Sequence, residues 1–129
     1  LQQEAKDTPI LIHCFTGNKA EMEDFLSLGA FISFSGIVTF KNAAAVQEAA
    51  AACPQERILV ETDAPFLAPV PFRGKVNQPG YVKQTLDFLA ALRSESVDVL
   101  AAACTANTQQ FYRLHQTGHK TNINDAPLL

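Results

Sequence analysis

Three short apolar runs, each followed by an amphipathic segment, constrain the fold of this chain more than any other feature. Ile10–His13, Ala30–Phe34 and Arg57–Thr62 place apolar residues at consecutive positions, not alternating ones. A strand that is apolar on both faces has to be covered on both, which is the mark of a parallel sheet under helices. After the first run, Asn18 and Glu21 stand at capping-box spacing, with Asn in place of Ser or Thr. Met22, Phe25 and Leu26 then mark one helical face and Gly29 supplies a stop. The second run leaves through Ser35-Gly36, and Asn42 is placed to cap an alanine-rich helix ended by Cys53-Pro54. The third run passes into a long proline-rich connection, Pro65 to Pro79; loops of that length in a compact fold are often functional. Pro79 suits the first turn of a helix whose apolar face is Val82, Leu86, Leu89 and Ala90. Ser96 and Thr105 are expected to cap two further helices, the second carrying Phe111, Tyr112 and Leu114. From His115 the sequence turns polar and aperiodic, so residues 1–114 read as the domain and 115–129 as a tail.

At 129 residues the chain holds one domain at most. Its net charge of −3 argues against a nucleic-acid binder that works through overall charge, but leaves room for an enzyme that meets phosphates at a local site. Cys14, Cys53 and Cys104 are far apart, with no CxxC. They read as reduced thiols of a cytoplasmic protein and supply neither a zinc finger nor a disulfide framework. No uninterrupted apolar run approaches the length of a membrane span. Three parallel strands alone leave two open edges, whereas a closed βα barrel needs eight strands and about 250 residues. The expected fold is therefore α/β: the C-terminal three βα units of a (β/α)8 barrel of the TIM type, with C-terminal helices and the N-terminal strands absent. Leu1 to Lys6 read as the last turns of a helix that begins upstream, which makes the chain a fragment.

In such units every strand exit lies on one side of the sheet, and active sites collect there. His13 ends the first strand; Glu61 and Asp63 end the third. Strands one and three are separated by roughly 10 Å, a gap that inward-leaning side chains can span to one ion or to two adjacent ions. An imidazole and a carboxylate suit zinc, manganese or a related divalent metal. Taken singly, His13 fits a satisfied core histidine and Asp63 fits a turn cap before Pro65; taken together they point to a shared metal. Glu61 shares a strand face with Asp63 and is placed to hydrogen-bond a ligand from behind or to partner a cation. Cys14 is expected to face away from His13 and pack against helices. His115 and His119 have helical metal-site spacing, but with Gly118 between them they read as tail. No nucleotide fingerprint or phosphate loop occurs.

Four ordered motifs add a resemblance. His13-Cys14-Phe15-Thr16-Gly17, Ile32-Ser33-Phe34-Ser35-Gly36, Glu61-Thr62-Asp63-Ala64-Pro65-Phe66-Leu67 and Arg73-Gly74-Lys75-Val76-Asn77-Gln78-Pro79 resemble the TatD family of metal-dependent deoxyribonucleases. The resemblance runs from about Pro9 to Leu114. It implies an amidohydrolase-type barrel acting on phosphodiester bonds of DNA with divalent ions (magnesium, manganese or zinc). It implies that His13 is a metal ligand at the end of strand six, and that Asp63 is a ligand and general base at the end of strand eight. Arg73 and Lys75 would then clamp phosphate oxygens, with Asn77 hydrogen-bonding or capping the helix that follows; as residues alone, both cations fit solvated loop charges equally well. The family's early His-x-His pair, strand-four glutamate and strand-five histidine would fall before Leu1.

The leading expectation is a metal-dependent DNA hydrolase represented by its C-terminal part. The same site on a small phosphoester or amide is the enzymatic alternative. A catalytically silent fragment is the third reading: it would need a complementing N-terminal segment or would self-associate through its open sheet.

Overall fold

The computed structural model describes residues 9–62, 68–77 and 79–118. Its centre is a three-stranded parallel sheet, β1 (Leu11–Ile12), β2 (Phe31–Phe34) and β3 (Ile58–Val60), in the order β1-β2-β3. Helix α1 (Lys19–Ser27) connects β1 to β2, and α2 (Ala44–Ala52) connects β2 to β3. Beyond the loop after β3, a 3₁₀ turn at Pro79–Tyr81 leads into α3 (Val82–Leu92), followed by the long α4 (Val97–Gly118). The consecutive βα units read from the apolar runs are present, in parallel register and in chain order.

Local chemistry explains most element ends. The Asn18 side chain accepts from the Glu21 backbone at 2.9 Å, and the Glu21 carboxylate accepts from the Asn18 backbone at 3.0 Å, completing the capping box of α1. That helix stops at Gly29, which adopts φ +83°, a conformation open to glycine without steric cost. Ser96 caps α4 through a 3.1 Å bond from the Val99 N–H to its hydroxyl. Two expected caps are corrected. The N-cap of α2 is Ala43, with no side-chain bond, and not Asn42. Thr105 begins no helix, because α4 runs unbroken through it; alanines 101–103 and Cys104 give no signal that would interrupt a helix. The helix also covers residues 115–118, the start of the stretch assigned to the tail; residues 119–129, including His119, lie outside the described residues.

Alternation along the strands sorts side chains into two layers. Ile32, Phe34, Ile58 and Val60 face the helices and are buried with Met22, Val46, Ala49, Leu89 and Leu100. Phe31 and Leu59 face the other way, with Leu11 beside them, and are covered by Phe111 and Tyr112 of α4. Phe111 meets Phe31 edge to face, centroids 5.8 Å apart. Asn107 pins α4 in this position by donating to the Gln55 carbonyl at 2.7 Å and the Ile58 carbonyl at 2.8 Å.

Arg93 ties the helical layer together. It donates to the Ala50 carbonyl at 2.7 Å and the Cys53 carbonyl at 2.5 Å, at the end of α2, and pairs with Glu95 at 3.1 Å. The thiols of Cys53 and Cys104 lie in this layer. Burial pushes each pKa up to about 12, against the opposing pull of the Arg93 charge. No helix among the described residues is long and apolar enough to cross a membrane.

Candidate metal centre at the strand exits

At the exit of β1 the regular alternation breaks. Cys14 adopts φ +47°, the left-handed region that non-glycine residues rarely enter. The turn lets Phe15 take the helix-facing place: it is buried, packs edge to face on Phe34 at 5.9 Å, and donates its N–H to the Ser33 carbonyl at 2.9 Å. Gly17 passes so close that a Cβ there would sit 2.9 Å from the Phe15 ring and 3.0 Å from the Glu21 carboxylate. The run His13–Gly17 is thus a tight reversal between a strand exit and a capped helix.

This reversal corrects the placement expected for Cys14. Its Sγ lies 3.2 Å from the Ser35 hydroxyl at the exit of β2. Its N–H donates to Glu61 Oε1. Glu61 Oε2 in turn lies 3.0 Å from His13 Nδ1. One carboxylate, at the end of β3, therefore reaches across to hold both the imidazole at the end of β1 and the backbone that carries it. The Glu61 side chain is 10% exposed and the His13 side chain 65%, so the acid is the fixed member and the ring presents its far edge outward. Because Nδ1 is engaged, Nε2 is the nitrogen without a hydrogen bond among the described residues.

That arrangement is how metal-binding histidines are usually supported, with a carboxylate on the nitrogen that does not face the ion. The donor set therefore fits a divalent metal at His13, while remaining thin: no group of three or more His, Cys, Asp or Glu side chains able to hold an ion occurs among the described residues. Asp63, the expected second ligand and base, lies outside the described residues.

Two of the expected phosphate-facing residues, Arg73 and Asn77, meet residues that follow β2 and β3. The loop is anchored by the Val70 N–H, which donates to Thr39 Oγ1 at 2.8 Å. Arg73 is exposed and stacks its guanidinium over the Phe40 ring, 4.1 Å from the centroid. Lys75 is exposed. Asn77 is buried and donates to Thr62 Oγ1 at 2.9 Å, bonding back to the end of β3; the first residue before α3 is Tyr81, with no side-chain cap. Tyr112 was not singled out as a site residue, yet burial raises its pKa, with a further contribution from the Glu61 charge. Only its place on an apolar helix face beside Phe111 hinted at that position.

Comparison with known proteins decides the family. Residues 1–113 match the family described as TatD related DNase. The chain belongs to that family. Over 113 residues, TatD-family resemblance extends to 42% identity with the uncharacterized metal-dependent hydrolase YcfH of Escherichia coli K12, covering 88% of this chain and 43% of YcfH. The uncharacterized metal-dependent hydrolase YabD of Bacillus subtilis is 39% identical over 105 residues, 81% of this chain and 41% of YabD. In structure, the TatD homologue YjjV of E. coli K12 superposes with a TM-score of 0.76 at 30% identity, over 86% of this chain and 44% of YjjV. A TatD-family hydrolase of Entamoeba histolytica shares the fold at 16% identity, with a TM-score of 0.71 over 80% of this chain and 42% of its own. The chain thus spans less than half the length of these relatives. The parallel sheet and its helices are the TatD-type barrel's C-terminal βα units, as the motifs implied, and the family is one of metal-dependent hydrolases.

Proposed function

We propose that this chain is the C-terminal part of a cytoplasmic, metal-dependent deoxyribonuclease. The observation that carries the reading is the His13–Glu61 pair at the strand exits, with Nδ1 engaged at 3.0 Å and the ring otherwise exposed. His13 and Asp63 would hold a magnesium, manganese or zinc ion, with further ligands from residues outside this chain. When bound, the ion supplies a Lewis acid that polarises a phosphoryl oxygen and acidifies water. Asp63 removes a proton from the attacking water as general base. Arg73, already preorganised on Phe40, and Lys75 receive phosphate oxygens of the DNA backbone. Asn77 contributes indirectly, by bonding Thr62 and so fixing the backbone just before Asp63.

The test is hydrolysis of single-stranded DNA, set against a small phosphodiester and a small amide, by a full-length protein carrying this chain, with each metal supplied in turn. DNA turnover that falls by about 10²- to 10⁴-fold in Asp63→Asn, with the fold intact, is the expected result. Near-unchanged turnover in that variant would remove Asp63 from its role, and amide turnover in place of DNA cleavage would move the substrate class.

A second reading is supported by the thin donor set among the described residues, since catalytic sites normally hold an ion with at least three protein ligands. On that reading the isolated chain is silent until a complementing N-terminal segment, or a second copy, covers its open sheet. Manganese titration of the isolated chain separates the two: micromolar binding that disappears in His13→Ala argues against silence.

A further inference from the structure

We infer that Glu61 is a positioning residue that selects the tautomer of His13, and so determines which ring nitrogen is available to an ion. The significance for metal binding rests on the function proposed above; the tautomer itself follows from geometry alone. An ionised carboxylate only accepts hydrogen bonds, through two oxygens. Oε1 is occupied by the Cys14 N–H, a donor that cannot become an acceptor. Oε2 faces Nδ1 of His13 at 3.0 Å. An acceptor on that side requires the ring proton to sit on Nδ1, and a neutral imidazole then carries its lone pair on Nε2.

The turn at Cys14 makes the arrangement specific. With φ at +47° the chain reverses immediately after His13, bringing the next N–H onto the same carboxylate that meets the ring. Both partners of Glu61 therefore come from consecutive residues of one strand exit, and the acid is buried while the ring is exposed. A side chain with two acceptors satisfies this pair with the ring proton on Nδ1; a side chain with one acceptor and one donor satisfies it only with that proton on Nε2. In Glu61→Gln the single carbonyl oxygen is expected to keep the Cys14 N–H, the bond that Oε1 makes in the wild type. The amide NH₂ then faces Nδ1, which has to accept, and the ring proton moves to Nε2. An isosteric, uncharged substitution is expected to turn the ring's open lone pair away from the ion.

The experiment is long-range nitrogen–proton correlation NMR on the metal-free 129-residue chain, labelled with ¹⁵N-histidine, at a pH about two units above the ordinary imidazole pKa of ~6.5. The His13 signals are assigned by their loss in His13→Ala. The wild type should show a protonated Nδ1 and a bare Nε2, and Glu61→Gln the reverse. Zinc titration of the same samples should give an affinity lower by about 10- to 100-fold in Glu61→Gln. A wild-type ring protonated on Nε2 overturns the inference without any variant, so a Glu61→Gln chain that failed to fold would not rescue it. Unchanged tautomers in a folded Glu61→Gln also overturn it. Reversed tautomers with no zinc binding in either protein uphold the inference and favour a silent isolated chain, while the metal-hydrolase reading stands or falls on DNA turnover by the full-length protein, which keeps the two failures distinguishable.

Discussion

On the helix-covered face of the sheet, Ile32, Phe34, Ile58 and Val60 are buried in one apolar cluster, whereas the opposite face changes character along its length. At its base Leu11, Phe31 and Leu59 pack with Phe111 and Tyr112; toward the exits come His13, Ser33 and Glu61. Ser33 is 1% exposed, and its hydroxyl has no hydrogen-bond partner among the described residues. A polar atom left without a partner costs about 1–3 kcal/mol, and the helix-covered face of the same strands carries no polar side chain comparable to it. The contrast shows how the two-residue period of a strand separates tasks. Folding energy is concentrated on one side, so the other side can bring an acid and an imidazole together without disturbing the core.

The largest effect that tests this division is expected on the helix side. Phe34 is fully buried and is the ring against which Phe15 packs. Phe34→Ala should lower stability by about 3–5 kcal/mol, read as a shift in the urea midpoint. A loss below about 1 kcal/mol would mean that the helix-facing layer does not carry the fold.

A smaller effect is expected from the thiols of that same layer. Cys53 and Cys104 each have a pKa raised from 9.0 to about 12 by burial. The folded state therefore favours the protonated thiol. The associated stabilisation is complete below the unfolded pKa of 9.0 and is lost as pH rises toward about 12. The expected slope is roughly 1 kcal/mol per thiol for each pH unit above about 9. Urea midpoints measured through this range should fall less steeply in Cys53→Ala than in the wild type. Parallel curves would show that the thiols titrate normally and that this layer is open to water.

How far each region could be read from sequence follows the same line. The strands and helices were legible because apolar runs, the Asn18–Glu21 box and Ser96 are local signals that the fold had no cause to override. The meeting of His13 with Glu61 was legible because both stand at strand exits. The positive φ of Cys14 was not, since a cysteine gives no hint of a left-handed turn; its cause is the buried place taken by Phe15 and the carboxylate that receives its N–H. Nor was the bond from Asn77 back to Thr62 visible, because a span of fifteen positions can be closed only by the folded loop. The seating of Phe111 on Phe31 was hidden for a related reason. A helix pattern shows that a face is apolar, but not which side of a sheet it will cover.

The smallest stability effect is expected at the residue with the largest proposed functional one. The His13 side chain is 65% exposed, and its one hydrogen bond among the described residues is to Glu61. In His13→Ala the Cys14 N–H still satisfies one oxygen of that carboxylate, and the other gains access to water where the ring stood. The urea midpoint should therefore correspond to a change within about 0.5 kcal/mol, while manganese or zinc binding is lost. If instead the chain loses as much stability as in Phe34→Ala, then His13 holds the sheet together. The exit face would in that case be a structural layer like its neighbour, and the separation between the two faces would fail.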